Sequence, residues 1–374
     1  MKIRGAVLEE MGRQRPYTQS TPITIAELEL GEPGPTELLV KMDAAGVCHS
    51  DLSVVDGNRP RPVPMLLGHE ACGTVQSVGE DVTNISVGDR VVMSFLPRCG
   101  ECKECKTDGR LPCSVGSKVN NEATLMSGEI KLKRDGEQVY HHLGVSGFAT
   151  HAIVDHRSAV VVPREVPPEI AAVLGCAVLT GGGAVMNAAQ PGEDDSIMIV
   201  GLGGVGMASL ITAVAQGVKE IIAVDSLESK LERARELGAT QTFTPQQVAE
   251  QGITADRVVE AAGNPKAFET AYNAIGFGGS MVTVGLPPAT ATSNIAPLNL
   301  TAGARSVVGS YLGSAVPSRD IPAYAQMYLE GKLPVAELIS SVIKFEDINE
   351  AMDELADGKA IRQVIIFDGE EDNS

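Results

Sequence analysis

The stretch SIMIVGLGGVGMASLITAVAQGV, residues Ser196 to Val218, decides the fold. It opens on an unbroken apolar run, turns through closely spaced glycines and continues in small and apolar residues without proline. Such a run reads as a buried strand, a tight turn and a helix. Gly201, Gly203 and Gly206 give the spacing G-x-G-x-x-G, with Gly204 and Val205 inside it. Working outward, EIIAVD (Glu220–Asp225) reads as a second strand and SKLERARELGA (Ser229–Ala239) as a charged amphipathic helix. Further apolar strands are expected in DRVVEAAG (Asp256–Gly263), SMVTVGLP (Ser280–Pro287) and ARSVVGS (Ala304–Ser310). Strands alternating with helices predict an α/β, doubly wound parallel sheet. In that setting the amides at the helix start face a pyrophosphate, aided by the helix dipole. Asp225, about 20 residues beyond the turn, stands where an acidic residue accepts hydrogen bonds from ribose hydroxyls. Its charge disfavours a phosphate there, so NAD rather than NADP is expected.

The first 90 residues have another texture. Short apolar runs alternate with Gly and Pro, as in ELLVKMDAAGV (Glu37–Val47) and GTVQSVGEDVTNISVGDRVVM (Gly73–Met93), and predict a β-rich, barrel-like unit. With 374 residues there is room for two such domains. A formal charge of −18 argues against nucleic acid or an anionic membrane as partner, since both call for basic surface. The uncharged run Ile170–Gln190 is long enough to resemble a membrane span, but it holds Gly175, Gly181, Gly182, Gly183 and Asn187 and reads as a buried helix and turn. The opening MKIRGAVLEE places charges where a signal peptide needs an apolar core, so a reducing, cytoplasmic setting is expected. The closing DGEEDNS reads as a frayed acidic tail.

Four of the seven cysteines, Cys99, Cys102, Cys105 and Cys113, lie within CGECKECKTDGRLPC. A crowded polar loop of this kind gains order most readily from a metal. Four thiolates closing a tetrahedron describe a structural zinc site. An iron–sulfur cluster shares the CxxCxxC opening, but its fourth cysteine follows after three residues and precedes proline; free thiols are the remaining alternative. Cys48 in GVCHSDL, His69 in GHE and Cys176 in LGCAVLTGG are each weak signals alone. Together they offer two thiolates and an imidazole, the three-ligand set of an open catalytic zinc. Asp51 is placed to orient His69, and Glu70 supplies a nearby carboxylate. Cys72 is left as a core residue.

Taken together, GVCHSDL, GHE, the cysteine quartet, LGC, GLGGVG, Asp225 and AIRQVIIF (Ala360–Phe367) resemble the zinc-containing, NAD-dependent alcohol dehydrogenases of the medium-chain dehydrogenase/reductase family, over nearly the whole chain. The resemblance implies a GroES-like catalytic domain from residues 1–177 and 312–374, with a Rossmann domain, 178–311, inserted. It implies two zinc ions per chain, NAD as cofactor, a small alcohol or aldehyde as substrate, and a homodimer or homotetramer. It places Ser50 beside the reacting oxygen, Lys230 near the adenosine ribose, Arg362 and His49 on the pyrophosphate, and Thr180 and Val284 among the cofactor contacts. Arg59, Phe95, Lys118 and Leu143 fall at substrate-pocket positions. Arg59 and Lys118 stand where the family is commonly apolar, and would favour substrates bearing a distant carboxylate or else point into water. A glutathione-dependent formaldehyde-oxidising branch is a second reading, although this chain lacks its acidic residues near position 59 and has Ser117 where that branch carries arginine. A catalytically silent zinc- and NAD-binding protein is a third. In the family a histidine three residues after Ser50 often carries the released proton to the surface; here Ser53 occupies that place, leaving water or His49 as acceptor.

Overall fold

The computed structural model describes residues 1–367; the expected acidic tail, 368–374, lies outside them. Strands Lys2–Leu8, Ile23–Leu30, Leu132–Arg134, Glu137–His141 and Met65–Leu66 close a small barrel. Beside it a seven-stranded sheet runs Ala159–Val161, Arg90–Met93, Glu70–Val78, Glu37–Val47, Gln363–Ile366 and Ser341–Ile343, with His151–Asp155 also paired to Glu37–Val47. The last two strands of the chain thus complete a sheet begun by the first hundred residues.

The remaining sheet is parallel throughout, in the order Gln241–Phe243, Glu220–Val224, Ser196–Val200, Ala255–Glu260, Ile275–Thr283, Ser306–Gly309. This is the 3-2-1-4-5-6 order of a dinucleotide-binding sheet, which reverses direction beside its first strand and opens a crevice there. Ser196–Val200 is buried at every residue, as a central parallel strand covered on both faces must be. Nine of the twelve residues in helix Gly204–Ala215 are buried against it.

A continuous helix, Pro168–Ala189, packs between the seven-stranded and six-stranded sheets. It is long and apolar enough to cross a membrane, yet 89% of its apolar window is buried inside the protein. It widens to π geometry over Leu174–Val178 and again over Ala184–Ala189, a distortion that often marks functional positions. Its glycines let neighbours approach closely. A Cβ at Gly181 would lie 2.2 Å from the Val205 carbonyl, and one at Gly183 would lie 2.4 Å from that of Gly313. One apolar core joins this helix to both sheets, from Val92 and Val364 to Ile197 and Val259.

Candidate active site and metal centres

Cys48 follows the strand Glu37–Val47 and caps the short helix His49–Val55, so helix residues begin directly at the ligand. His69 directly precedes the strand Glu70–Val78, and Cys176 sits in the first π segment of the long helix. All three are buried. Cys176 Sγ lies 3.4 Å from His69 Nε2, and the ligand atoms of Cys48, His69, Glu70 and Cys176 all fall within 4.8 Å of one another. His69 Nδ1 is 3.1 Å from Asp51 Oδ1, which also accepts the Gly68 amide. With Nδ1–H donating to Asp51, the Nε2 lone pair faces the thiols. Burial opposes charge on His69, but Asp51 and Cys48 outweigh it and lift the imidazole well above its usual range. Cys176, donating to Cys48, holds that thiol low and is itself raised. Two cysteine sulfurs and an imidazole nitrogen crowded this closely form a donor set from which a divalent cation displaces protons. The residues fit zinc in type, burial and spacing.

The quartet fits as well. Cys99 and Cys105 sulfurs are 3.9 Å apart, as are those of Cys102 and Cys113. Zinc–sulfur bonds of about 2.3 Å at tetrahedral angles place sulfurs roughly 3.8 Å apart. Backbone amides of Cys99, Cys102, Cys105 and Gly116 donate to the sulfurs at 3.3 to 3.4 Å, the stabilisation thiolates need. No disulfide occurs among the described residues. Cys72 is buried, and burial pushes its thiol far up, so it behaves as an apolar core residue.

A cleft of about 400 Å³ runs between the sheets, lined by Cys48, Cys176, the glycine turn and Asp225 among others. Gly201 holds φ +92°, where only glycine is unstrained, and a Cβ at Gly206 would lie 1.8 Å from the Gly201 carbonyl. Gly203, Gly204 and Val205 line the cleft. Asp225 follows the second strand; Oδ2 accepts the Leu202 amide at 2.8 Å and Oδ1 the Leu227 amide at 3.0 Å. Lys230, His49, Ser50, Thr180 and Val284 all line the same cleft. The surrounding protein lowers the His49 pKa, and Arg362 and Lys230 lower it further. Ser53 Oγ donates to the His49 carbonyl at 2.8 Å and is thereby tied to its own helix.

Arg362 is 3% exposed. It donates to the Val47 carbonyl at 3.0 Å and lies 3.4 Å from Glu70 Oε1, while its guanidinium would lie 2.4 Å from a Cβ at Gly204. One side chain therefore touches the sheet holding Cys48 and the turn facing the cofactor crevice. Burial raises Glu70 to about 7 despite Arg362, and neither carboxylate oxygen finds a hydrogen bond.

The substrate-side residues divide. Phe95 lines the cleft and meets His69 edge-on with ring centroids 5.5 Å apart; Arg59 lines it too. Leu143 is buried in the same apolar cluster as Cys48, Phe95 and Cys176 but is not on the cleft wall. Lys118 takes the second of its two expected places and points into water. Helix Ser114–Glu122 turns Gly116, Val119 and Asn120 inward, which leaves Lys118 73% exposed and 3.9 Å from Glu122. Three residues not singled out from the sequence also belong here. Tyr311 lines the cleft against Phe95, ring centroids 5.9 Å apart. His142 has Nδ1 3.1 Å from Asp51 Oδ1. Arg61 lies close to Arg59, and burial first and then that like charge lower its pKa.

The pattern of the alcohol dehydrogenase GroES-like domain matches residues 34–164, and that of the zinc-binding dehydrogenase domain matches 204–330. Alcohol dehydrogenase B of Mycobacterium tuberculosis is 33% identical over 380 residues, covering 98% of this chain and 99% of its own. The crystal structure of benzyl alcohol dehydrogenase from Acinetobacter calcoaceticus superposes with a TM-score of 0.89 at 31% identity, covering 98% of this chain and all of that one. Acetophenone reductase from Geotrichum candidum, solved in complex with NAD, gives 0.77 at 25% identity over 98% and 97%. The chain belongs to the zinc-type medium-chain alcohol dehydrogenases, with a GroES-like domain joined to a Rossmann-type domain.

Proposed function

We propose that this protein is a zinc alcohol dehydrogenase that exchanges hydride between a small alcohol and NAD, giving an aldehyde or ketone and NADH. One observation carries the reading: the Cys48, Cys176 wall and the glycine turn with Asp225 open onto a single cleft. Bound there, zinc supplies Lewis acidity toward the alcohol or carbonyl oxygen and NAD supplies the hydride acceptor. Asp51 fixes the tautomer and tilt of His69. The Ser50 hydroxyl, at the start of the helix after Cys48, receives the substrate hydroxyl proton and passes it toward ribose and solvent. Its route avoids Ser53, whose proton is engaged by the His49 carbonyl. Asp225 receives the adenosine ribose hydroxyls, with Lys230 beside them; Arg362 and His49 face the pyrophosphate, and Thr180 and Val284 border the nicotinamide end. Cys99, Cys102, Cys105 and Cys113 hold a second, closed zinc.

The proposed units are residues 1–177 with 312–374, and 178–311, in a cytoplasmic homodimer or homotetramer. The test is steady-state NADH formation from a panel of alcohols, with metal analysis of the same preparation. Benzyl alcohol, named for the Acinetobacter relative, is the first substrate to try. Two zinc per chain with NAD-dependent turnover supports the reading; metal-replete protein that oxidises no alcohol and reduces no aldehyde overturns it in favour of a binding protein.

A further inference from the structure

The turn after helix His49–Val55 carries two guanidiniums two residues apart, Arg59 and Arg61. Arg59 lines the cleft, and its side chain makes no hydrogen bond or ion pair with any described residue. The nearest carboxylate in sequence, Asp56, is occupied by Asn58, whose amide nitrogens approach it at 2.7 and 2.8 Å. Arg61 is held from behind: one nitrogen donates to the Asn120 carbonyl and to Asn121 Oδ1, both at 3.1 Å, while its Nε is buried without a partner. In a chain with 48 acidic and 30 basic residues, a carboxylate is the expected neighbour of such a pair. Asn120 and Asn121 are the partners of Arg61 instead, and Asp56, on the same cleft, is taken up by Asn58. The aromatic wall leads straight to these charges, from His69 to Phe95 to Tyr311, whose phenol feels both arginines. An aromatic wall of edge-to-face rings that starts at His69 and ends at positive charge selects for a molecule with the complementary profile.

The geometry points to a specificity subsite: Arg59, backed by Arg61, receives a carboxylate at the far end of an alcohol or aldehyde whose body lies along Phe95 and Tyr311. This rests on the dehydrogenase reading above. The readout is a ratio. In zinc-loaded, full-length protein, kcat/KM for 4-(hydroxymethyl)benzoate should exceed that for 4-methylbenzyl alcohol by about 10-fold or more, and added salt should shrink the gap. Arg59→Gln should bring the ratio to about one, and Arg59→Lys should restore part of it. Benzoate and benzamide, titrated calorimetrically into the protein with NADH, supply a measurement independent of turnover. Benzoate should bind the more tightly, and Arg59→Gln should erase the difference.

Turnover of both alcohols at equal kcat/KM, or a ratio unmoved by Arg59→Gln, overturns the subsite and leaves the dehydrogenase reading intact. Benzoate binding that depends on Arg59 in a protein that turns over no alcohol does the reverse. Benzoate binding no more tightly than benzamide overturns the subsite whatever the turnover.

Discussion

Asp51 gathers three neighbours on one carboxylate: the His69 imidazole, the Gly68 amide and, 3.1 Å away, His142 Nδ1. Burial alone would raise it, but the two imidazoles outweigh burial and hold it down at about 2. Asp51→Asn keeps the shape and loses the charge that sets the His69 tautomer. Affinity for the catalytic zinc should fall by roughly 10- to 100-fold, measured by chelator competition, while the quartet keeps its ion. Equal loss from both sites would show a general fold defect instead. His141 offers a second residue-scale test. Its Nε2 accepts the Lys131 amide at 3.1 Å and its ring is buried, which lowers its pKa to about 3. The unfolded chain takes up this proton near pH 6.5 and the folded chain does not, so the stability it contributes is full above that value and is lost as pH falls toward 3. The slope is up to about 1.4 kcal/mol per pH unit. His141→Gln should flatten the acid side of the stability profile between about pH 6 and 4, read by urea unfolding; an unchanged slope would contradict it.

Element by element, what could be read beforehand follows physical range. The strand–turn–helix at Ser196–Ala215 is local, since apolar run, glycine turn and helix are contiguous, and the structure has all three. Cysteine spacing is equally local. Lys118 was legible in principle: Gly116, Val119 and Asn120 are the i, i+3, i+4 face that packs inward, which sends residue 118 outward. What could not be read were contacts set by distant pairing. Arg362 reaches Val47 across 315 positions, and Tyr311 meets Phe95 only because the turn after Ser306–Gly309 folds against the long helix. No periodicity within either segment encodes those meetings. Asp225 also works between elements, joining the glycine turn through Leu202 and the following helix through Leu227. Asp225→Gly should therefore do two things. NAD should bind more weakly, with a narrower gap to NADP, by titration of both dinucleotides. Thermal stability should also drop, since the buried Leu202 amide loses its acceptor at about 1 to 3 kcal/mol, while water can replace Asp225 at the exposed Leu227 amide. Equal use of NAD and NADP by the wild type would defeat the charge argument.

Across the whole molecule, the parallel sheet ends in an open edge. Ser306–Gly309 is exposed at all four residues, and Val307, Val308, Phe277 and Leu298 present apolar surface in the same domain. Unpaired edges of this kind are covered or they aggregate, and a second copy of the chain is the cover that symmetry supplies most simply. If this edge is where two copies meet, Val308→Lys should lower the mass in light scattering without loss of secondary structure; a wild type that is already monomeric, or a mass the substitution leaves unchanged, would refute the contact.

The strand Gln363–Ile366 and Arg362 before it also set the order in which the chain can fold as it leaves the ribosome. The parallel sheet uses strands between residues 196 and 309 only, and it can close once they have emerged. The sheet that carries Cys48 and His69 pairs its Glu37–Val47 strand with Gln363–Ile366, so one of its ladders stays open for some three hundred residues of synthesis. The half of this protein that is made first is finished last.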